Sequence, residues 1–226
     1  MTAGAWVATA PSASARASTP SLKPEIVRTA IPYGARRKDQ MAAYSKRHYG
    51  ERGWELRAPS VIVQHYTAGL SFWGAWNHFA SNDRWNGESP GTCTHFIIDR
   101  DGTIHQLVPL GTRCRHVVGL NHVSVGIEHV GTSDRMVLDD RQQMRSSLRL
   151  TVWLMAKFDV NVGDVIGHAE ALEHPLHREL YRSWRCLVHA DFPHRAMKTY
   201  RSRLRDVALA RGVRPGAGPT WEPSGC

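Results

Sequence analysis

The stretch VIVQHY, Val61 to Tyr66, is a run of β-branched residues that closes on a histidine and a tyrosine. Such a run reads as a buried strand, because branched side chains pack well on a pleated surface. A side chain at the end of a buried strand stands on a rigid position from which it can converge on a cleft. Ahead of this strand, RKDQMAAYSKRHYG (37–50) predicts a short helix. After it comes a Trp-rich helix, SFWGAWNHFASN (71–82), with Trp73, Trp76 and Ala80 spaced for one face. THFIID (94–99) and TIHQLVP (103–109) read as paired strands about a turn at Arg100-Asp101-Gly102. VSVGIEHV (123–130) and DVIGH (164–168) are two further strands. The clearest helix runs from Asp139 to Phe158: Asp139 caps, Gln142 follows, and Met144, Leu148, Val152 and Met155 recur at helical spacing. A last helix begins near Pro193 and stops at Gly212. Strands and helices mixed along one chain predict a sheet with helices packed on it.

A chain of 226 residues with 42% apolar residues can bury one good core. No run approaches the roughly 18 apolar residues that cross a bilayer. The net charge of +9 implies attraction to something anionic: nucleic acid, an acidic membrane surface or a wall carrying anionic polymers. The four cysteines form no CxxC motif and allow three connectivities. Cys93–Cys114 is the expected pair, with free thiols the competing reading. Residues 1–22 are rich in Ala, Ser, Thr and Pro, and AWVATAPSASA (5–15) resembles the back half of a secretory signal. Residues 212–226 are Gly/Pro-rich and expected to be disordered.

Three polar residues end or interrupt apolar strands: His65 closes VIVQH, Glu128 sits in VGIEH, and His168 closes DVIGH. Two imidazoles and one carboxylate with an open fourth position compose a catalytic zinc site, with Asp191 as the oxygen ligand. LVHADFPH (187–194) admits two readings. Asp191 followed by Pro193 looks like a helix start. On an extended chain, however, His189 and Asp191 point the same way, which would finish a metal site. With 13 histidines and no compact H-E-x-x-H motif, residue types leave both readings open.

Taken in order, VIVQHYTAG, THFIIDRDGTIHQLVP, RHVVGLNHVSVGIEHVG, VIGHAEAL and HADFP resemble the type-2 N-acetylmuramoyl-L-alanine amidases, whose fold is shared with peptidoglycan recognition proteins and phage amidase lysozymes. The resemblance covers about Pro59 to Pro193. It implies an α/β fold with a central mixed β-sheet flanked by helices, and a zinc amidase domain spanning 23–211. It also implies Zn2+ held by His65, His168 and Asp191, with Glu128 as the general base. His116 matches a histidine of the family's substrate groove, with Asn121 a weaker companion in substrate binding.

Three departures stand beside the resemblance. His189 occupies the place of a common lysine; as an oxyanion donor with a pKa near ~6.5, it predicts activity that falls as pH rises. Thr94 occupies the place of a catalytic tyrosine and is too short to act equivalently. The 22 residues between His168 and Asp191 are more than in compact members, and they carry His174 and His177 as rival ligands. His129 alternates to the opposite face from Glu128 and reads as structural. Trp73, Trp76 and Trp85 are candidates for sugar stacking, with core packing the stronger reading for at least two of them.

The resulting expectation is a monomeric, secreted or cell-wall-associated hydrolase acting on peptidoglycan or muropeptides, without nucleic acid or membrane insertion. The alternatives are a non-catalytic recognition protein of the same fold, which would need no metal, and a nucleic-acid binder driven by the basic surface.

Overall fold

The computed structural model describes residues 1, 21–222, 224 and 226, so the signal-like stretch lies outside the described residues. VIVQHY forms β2 (Val61–Tyr66), whose first three residues are fully buried. On one side it pairs in parallel with β5 (Ser124–His129), and on the other with β6 (Val165–Gly167). Beyond β5 lie β3 (Phe96–Ile98), β4 (Ile104–Gln106) and β1 (Val27–Arg28), giving the order β1-β4-β3-β5-β2-β6. Only the hairpin of β3 and β4 is antiparallel, so the sheet is mixed.

Helices cover both faces. The helix α4 (Arg141–Phe158) and α5 (His194–Ala210) pack with the short α3 (Asp134–Asp139) against Ile62, Val125, Ile127 and Val165. This is the largest core, and truncating one of its fully buried aliphatic residues to Ala costs about 2–5 kcal/mol. The helix signal across 139–158 is broken in the structure: α3 ends at Asp139, and Asp140 caps α4 by accepting from the amides of Gln142 and Gln143. Gln143, Ser147 and Thr151 form a buried polar stripe on α4. Ser147 Oγ lies 2.7 Å from His129 Nε2, so His129 is structural and faces away from Glu128.

The opposite face carries α1 (Ala35–Tyr49) and α2 (Phe72–Ser81). In α2 the buried side chains are Phe72 and Phe79, and Trp73 is 60% exposed, contrary to the face expected from Trp spacing. Trp76 spends its indole N–H on Thr29 O at 3.0 Å. Disulfides join Cys93 to Cys114, as expected, and Cys186 to Cys226. The segment after α5, expected to be loose from its Gly and Pro content, is laid against the body. Val162 N donates to Pro215 O, Gly163 N to Ala217 O and Glu222 N to Glu173 O, and the second disulfide ties residue 226.

His95 is fully buried, with Nε2 donating to Thr112 O and Nδ1 accepting from Gly126 N. Burial pushes its pKa from 6.5 down to about 4, against the carbonyl bond that raises it. A histidine depressed on folding contributes full stability above its unfolded pKa and loses it as pH falls towards the folded one. The interval from 6.5 to about 4 corresponds to roughly 3 kcal/mol. The His95 ring resonances are therefore expected to show no titration midpoint between pH 8 and 5 by NMR, with the thermal midpoint falling on acidification below 6.5.

Candidate active site

The parallel register places Glu128 of β5 opposite His65 of β2. The β2–β6 register, extended one residue past Gly167, brings His168 level with both. Neighbours in parallel register share a face. One row across three strands therefore presents a carboxylate and two imidazoles on the side away from α4 and α5.

Asp191 reaches this row through a close backbone approach. The Asp191 carbonyl accepts from Ala169 N at 2.9 Å, and Phe192, at φ +53°, donates its N–H to Asp134 Oδ1 at 2.7 Å. A Cβ on Gly167 would lie 1.8 Å from Phe192 O, so only glycine lets the two segments meet. Just beyond His168, buried Glu170 accepts from Gly167 N and takes a two-pronged ion pair from Arg201 of α5 at 2.7 and 2.9 Å. That pairing fixes the turn carrying His168. Nothing in the sequence singled out Glu170, Arg201 or Gly167.

The three side chains converge. His65 Nδ1 and His168 Nδ1 are 3.0 Å apart; Asp191 Oδ2 is 3.2 Å from the first and Oδ1 is 3.1 Å from the second. Ligands about 2.0–2.1 Å from one ion at tetrahedral angles stand roughly 3.3 Å apart. Two nitrogens and one oxygen at these separations fit a divalent metal of the zinc type, and the group is able to hold one. Asp191 is not the cap of α5, which starts at His194 behind Pro193 with no side-chain cap. Burial would raise the Asp191 pKa, but the hydrogen bonds and charges of His168 and His65 hold it well below the usual carboxylate range. The rival ligands point elsewhere: His174 Nε2 lies 3.3 Å from Asp164, and the His177 ring packs on Gly119.

Glu128 is buried, and its Oε2 has no hydrogen-bond partner among the described residues. Burial pushes its pKa up to about 7, against the pull of His65. A carboxylate so placed can exchange a proton near neutral pH. His189 stacks on His168 with ring centroids 3.5 Å apart, and its Nε2 is unpartnered among the described residues. Burial pushes its pKa down to about 4, with Asp191 opposing. A lowered pKa favours the neutral ring and so runs against the charged donor behind the expected fall of activity with rising pH.

These residues line a cleft of about 580 Å³ together with His116, Leu70, His78, Trp85 and Arg115. His116 lines the cleft beside His65, its Nδ1 being 3.0 Å from His65 Nε2. Asn121, expected to touch substrate, is fully buried: its Oδ1 accepts from His116 N and Val117 N, and its Nδ2 donates to Tyr49 Oη. Its amide holds the 116–117 turn at the wall of the cleft. Thr94 is also fully buried, with its hydroxyl on Phe96 O. Arg115 went unnoticed in the sequence; it is buried and donates to Glu88 O, Pro90 O and Trp85 O, fixing the wall that carries Trp85.

Two imidazoles and two carboxylates gathered at the strand ends of a mixed sheet, able to hold a metal ion, make the arrangement of a metal-assisted hydrolase. The family model for N-acetylmuramoyl-L-alanine amidase matches residues 55–183, more than half of the chain, and the chain belongs to that family. The matched span ends before His189 and Asp191. The solved structure of PlyL aligns over 86% of this chain and 100% of its own at 13% identity and TM-score 0.50, a likeness of fold. The endolysin N-acetylmuramoyl-L-alanine amidase LysCS from Clostridium intestinale URNW is 24% identical over 64% of this chain and 81% of its own, at TM-score 0.48. No curated protein matches the chain.

Replacing Asp191 by Ala is expected to cut the zinc content of purified protein from near-stoichiometric to near zero by elemental analysis. Far-UV circular dichroism should be retained, because α5 does not depend on Asp191 for its cap.

Proposed function

We propose that the chain is a zinc-dependent amidase that hydrolyses the bond between the lactyl group of N-acetylmuramic acid and L-alanine of the stem peptide. The convergence of His65, His168 and Asp191 at the strand ends, with Glu128 in register beside them, carries this reading. When bound, the ion supplies Lewis acidity towards the substrate carbonyl and the attacking water.

Glu128 takes the proton of the water as its oxygen attacks the lactyl carbonyl carbon. When the C–N bond breaks, the same carboxyl returns the proton to the leaving amine, giving a lactyl carboxylate and a free alanine amino group. Burial raises the pKa of this carboxyl, which favours proton uptake by a group that must accept and then release a proton in one turnover. His189 donates an N–H to the oxyanion of the tetrahedral intermediate, and the stack on His168 holds its ring at the cleft. His116 contributes to the cleft wall, where Trp85 supplies an apolar face for a sugar ring.

The Cys93–Cys114 and Cys186–Cys226 disulfides support an oxidising compartment, and hence export to the wall. Among the described residues no helix is long and apolar enough to cross a membrane.

Glu128→Gln is expected to lower kcat on purified peptidoglycan by about 10²–10⁴ while leaving zinc content unchanged, followed as release of new alanine amino groups. Retention of full activity would remove Glu128 from the base role. Chelation should abolish amine release by the parent protein, and added zinc should restore it. A non-catalytic recognition protein would instead hold the walls and release no amine.

A further inference from the structure

We propose that Ser124, acting through His116, sets which ring nitrogen of His65 carries the proton, and so presents the His65 Nδ1 lone pair to the metal position. The inference rests on the zinc reading above and adds positioning residues to it. Ser124 Oγ donates to Leu120 O at 2.8 Å and lies 3.2 Å from His116 Nε2; His116 Nδ1 lies 3.0 Å from His65 Nε2.

A proton count fixes the direction of this chain. A carbonyl only accepts, so the single hydroxyl proton of Ser124 is committed to Leu120 O. The hydroxyl oxygen must then accept from His116, which places the proton on Nε2. Among the described residues the His116 ring hydrogen-bonds only with Ser124, through its hydroxyl and its backbone, and with His65. A buried imidazole without a carboxylate partner is neutral, so Nδ1 is left bare. A bare Nδ1 accepts from His65 Nε2–H, and His65 Nδ1 is left without a proton. That atom faces His168 Nδ1 and Asp191. His168 has no such partner, since its Nε2 is unpaired among the described residues.

The fold holds every link in place. Ser124 and the backbone of 116–117 are buried, with the turn pinned by Asn121. Gly126 clears the space for the ring: a Cβ there would stand 2.8 Å from His116 Cγ and Nδ1. Ser124, Gly126 and Glu128 alternate along one face of β5. A single strand thus anchors the relay, makes room for it and supplies the base.

The test compares the full chain with Ser124→Ala, and with Thr151→Val as a control that removes a buried hydroxyl bonded only to Tyr200 Oη. Zinc Kd is read by competition with a chromogenic chelator, and the His116 ring nitrogens are read by 15N NMR of metal-free protein. The expected results are a Kd weakened about 10–100-fold in Ser124→Ala, unchanged in Thr151→Val, and a parent His116 protonated at Nε2 alone. Equal Kd values for the parent and Ser124→Ala, or a His116 protonated at Nδ1, would overturn the proposal. A parent chain that binds no zinc would defeat the functional reading, while the His116 tautomer would still decide the relay.

Discussion

Two imidazole nitrogens and a carboxylate within 3.3 Å of one another carry too many lone pairs to be stable unless protons or a cation lie between them. That demand shapes the rest of the site. An ionised Asp191 is tolerated there only because positive charge or N–H groups face it. If the relay from Ser124 leaves His65 Nδ1 bare, a cation is the natural partner for all three.

The sheet meets this demand by register more than by any local motif. Glu128, His65 and His168 come from strands far apart in sequence and fall on one level because β5, β2 and β6 run parallel. Parallel pairing aligns like ends of strands, so residues closing different strands gather at one edge. Asp191 needs a separate route. Glycine at 167 lets its backbone press onto β6, and the Glu170–Arg201 pair anchors the turn between them. A buried ion pair gives little net stability against an apolar replacement, yet losing one partner leaves the other charge stranded. Its value here lies in fixing geometry.

The long segment between His168 and Asp191 gives the cleft its own character. Trp184 from this segment packs with Tyr44, Met41 and Tyr49 of α1, and the chain end is tied to it at Cys186. A buried His48–Glu179 pair joins the same two parts. The insert is thus a fixed wall that carries His189; of its other histidines, His174 makes a local hydrogen bond and His177 packs on Gly119.

By itself the sequence determined the strands around His65, Glu128 and His168, because β-branched runs interrupted by one polar residue have few other physical explanations. The ordered motifs also carried the family and, through it, the expectation that His65, His168 and Asp191 would meet. Residue types alone could not decide between a helix cap and a metal ligand for Asp191, since both uses need a carboxylate ahead of a proline. Only tertiary structure settled that α5 starts without it and that its oxygens face the two rings. Asn121 and Trp73 were not placed by their types: the burial of Asn121 at the cleft wall depends on a neighbour 72 positions away, and the exposure of Trp73 on the rotation of its helix. Ser124, Gly126, Gly167 and Arg201 were illegible in sequence for the same reason, because their roles are clearances and contacts that exist only once distant segments are packed together.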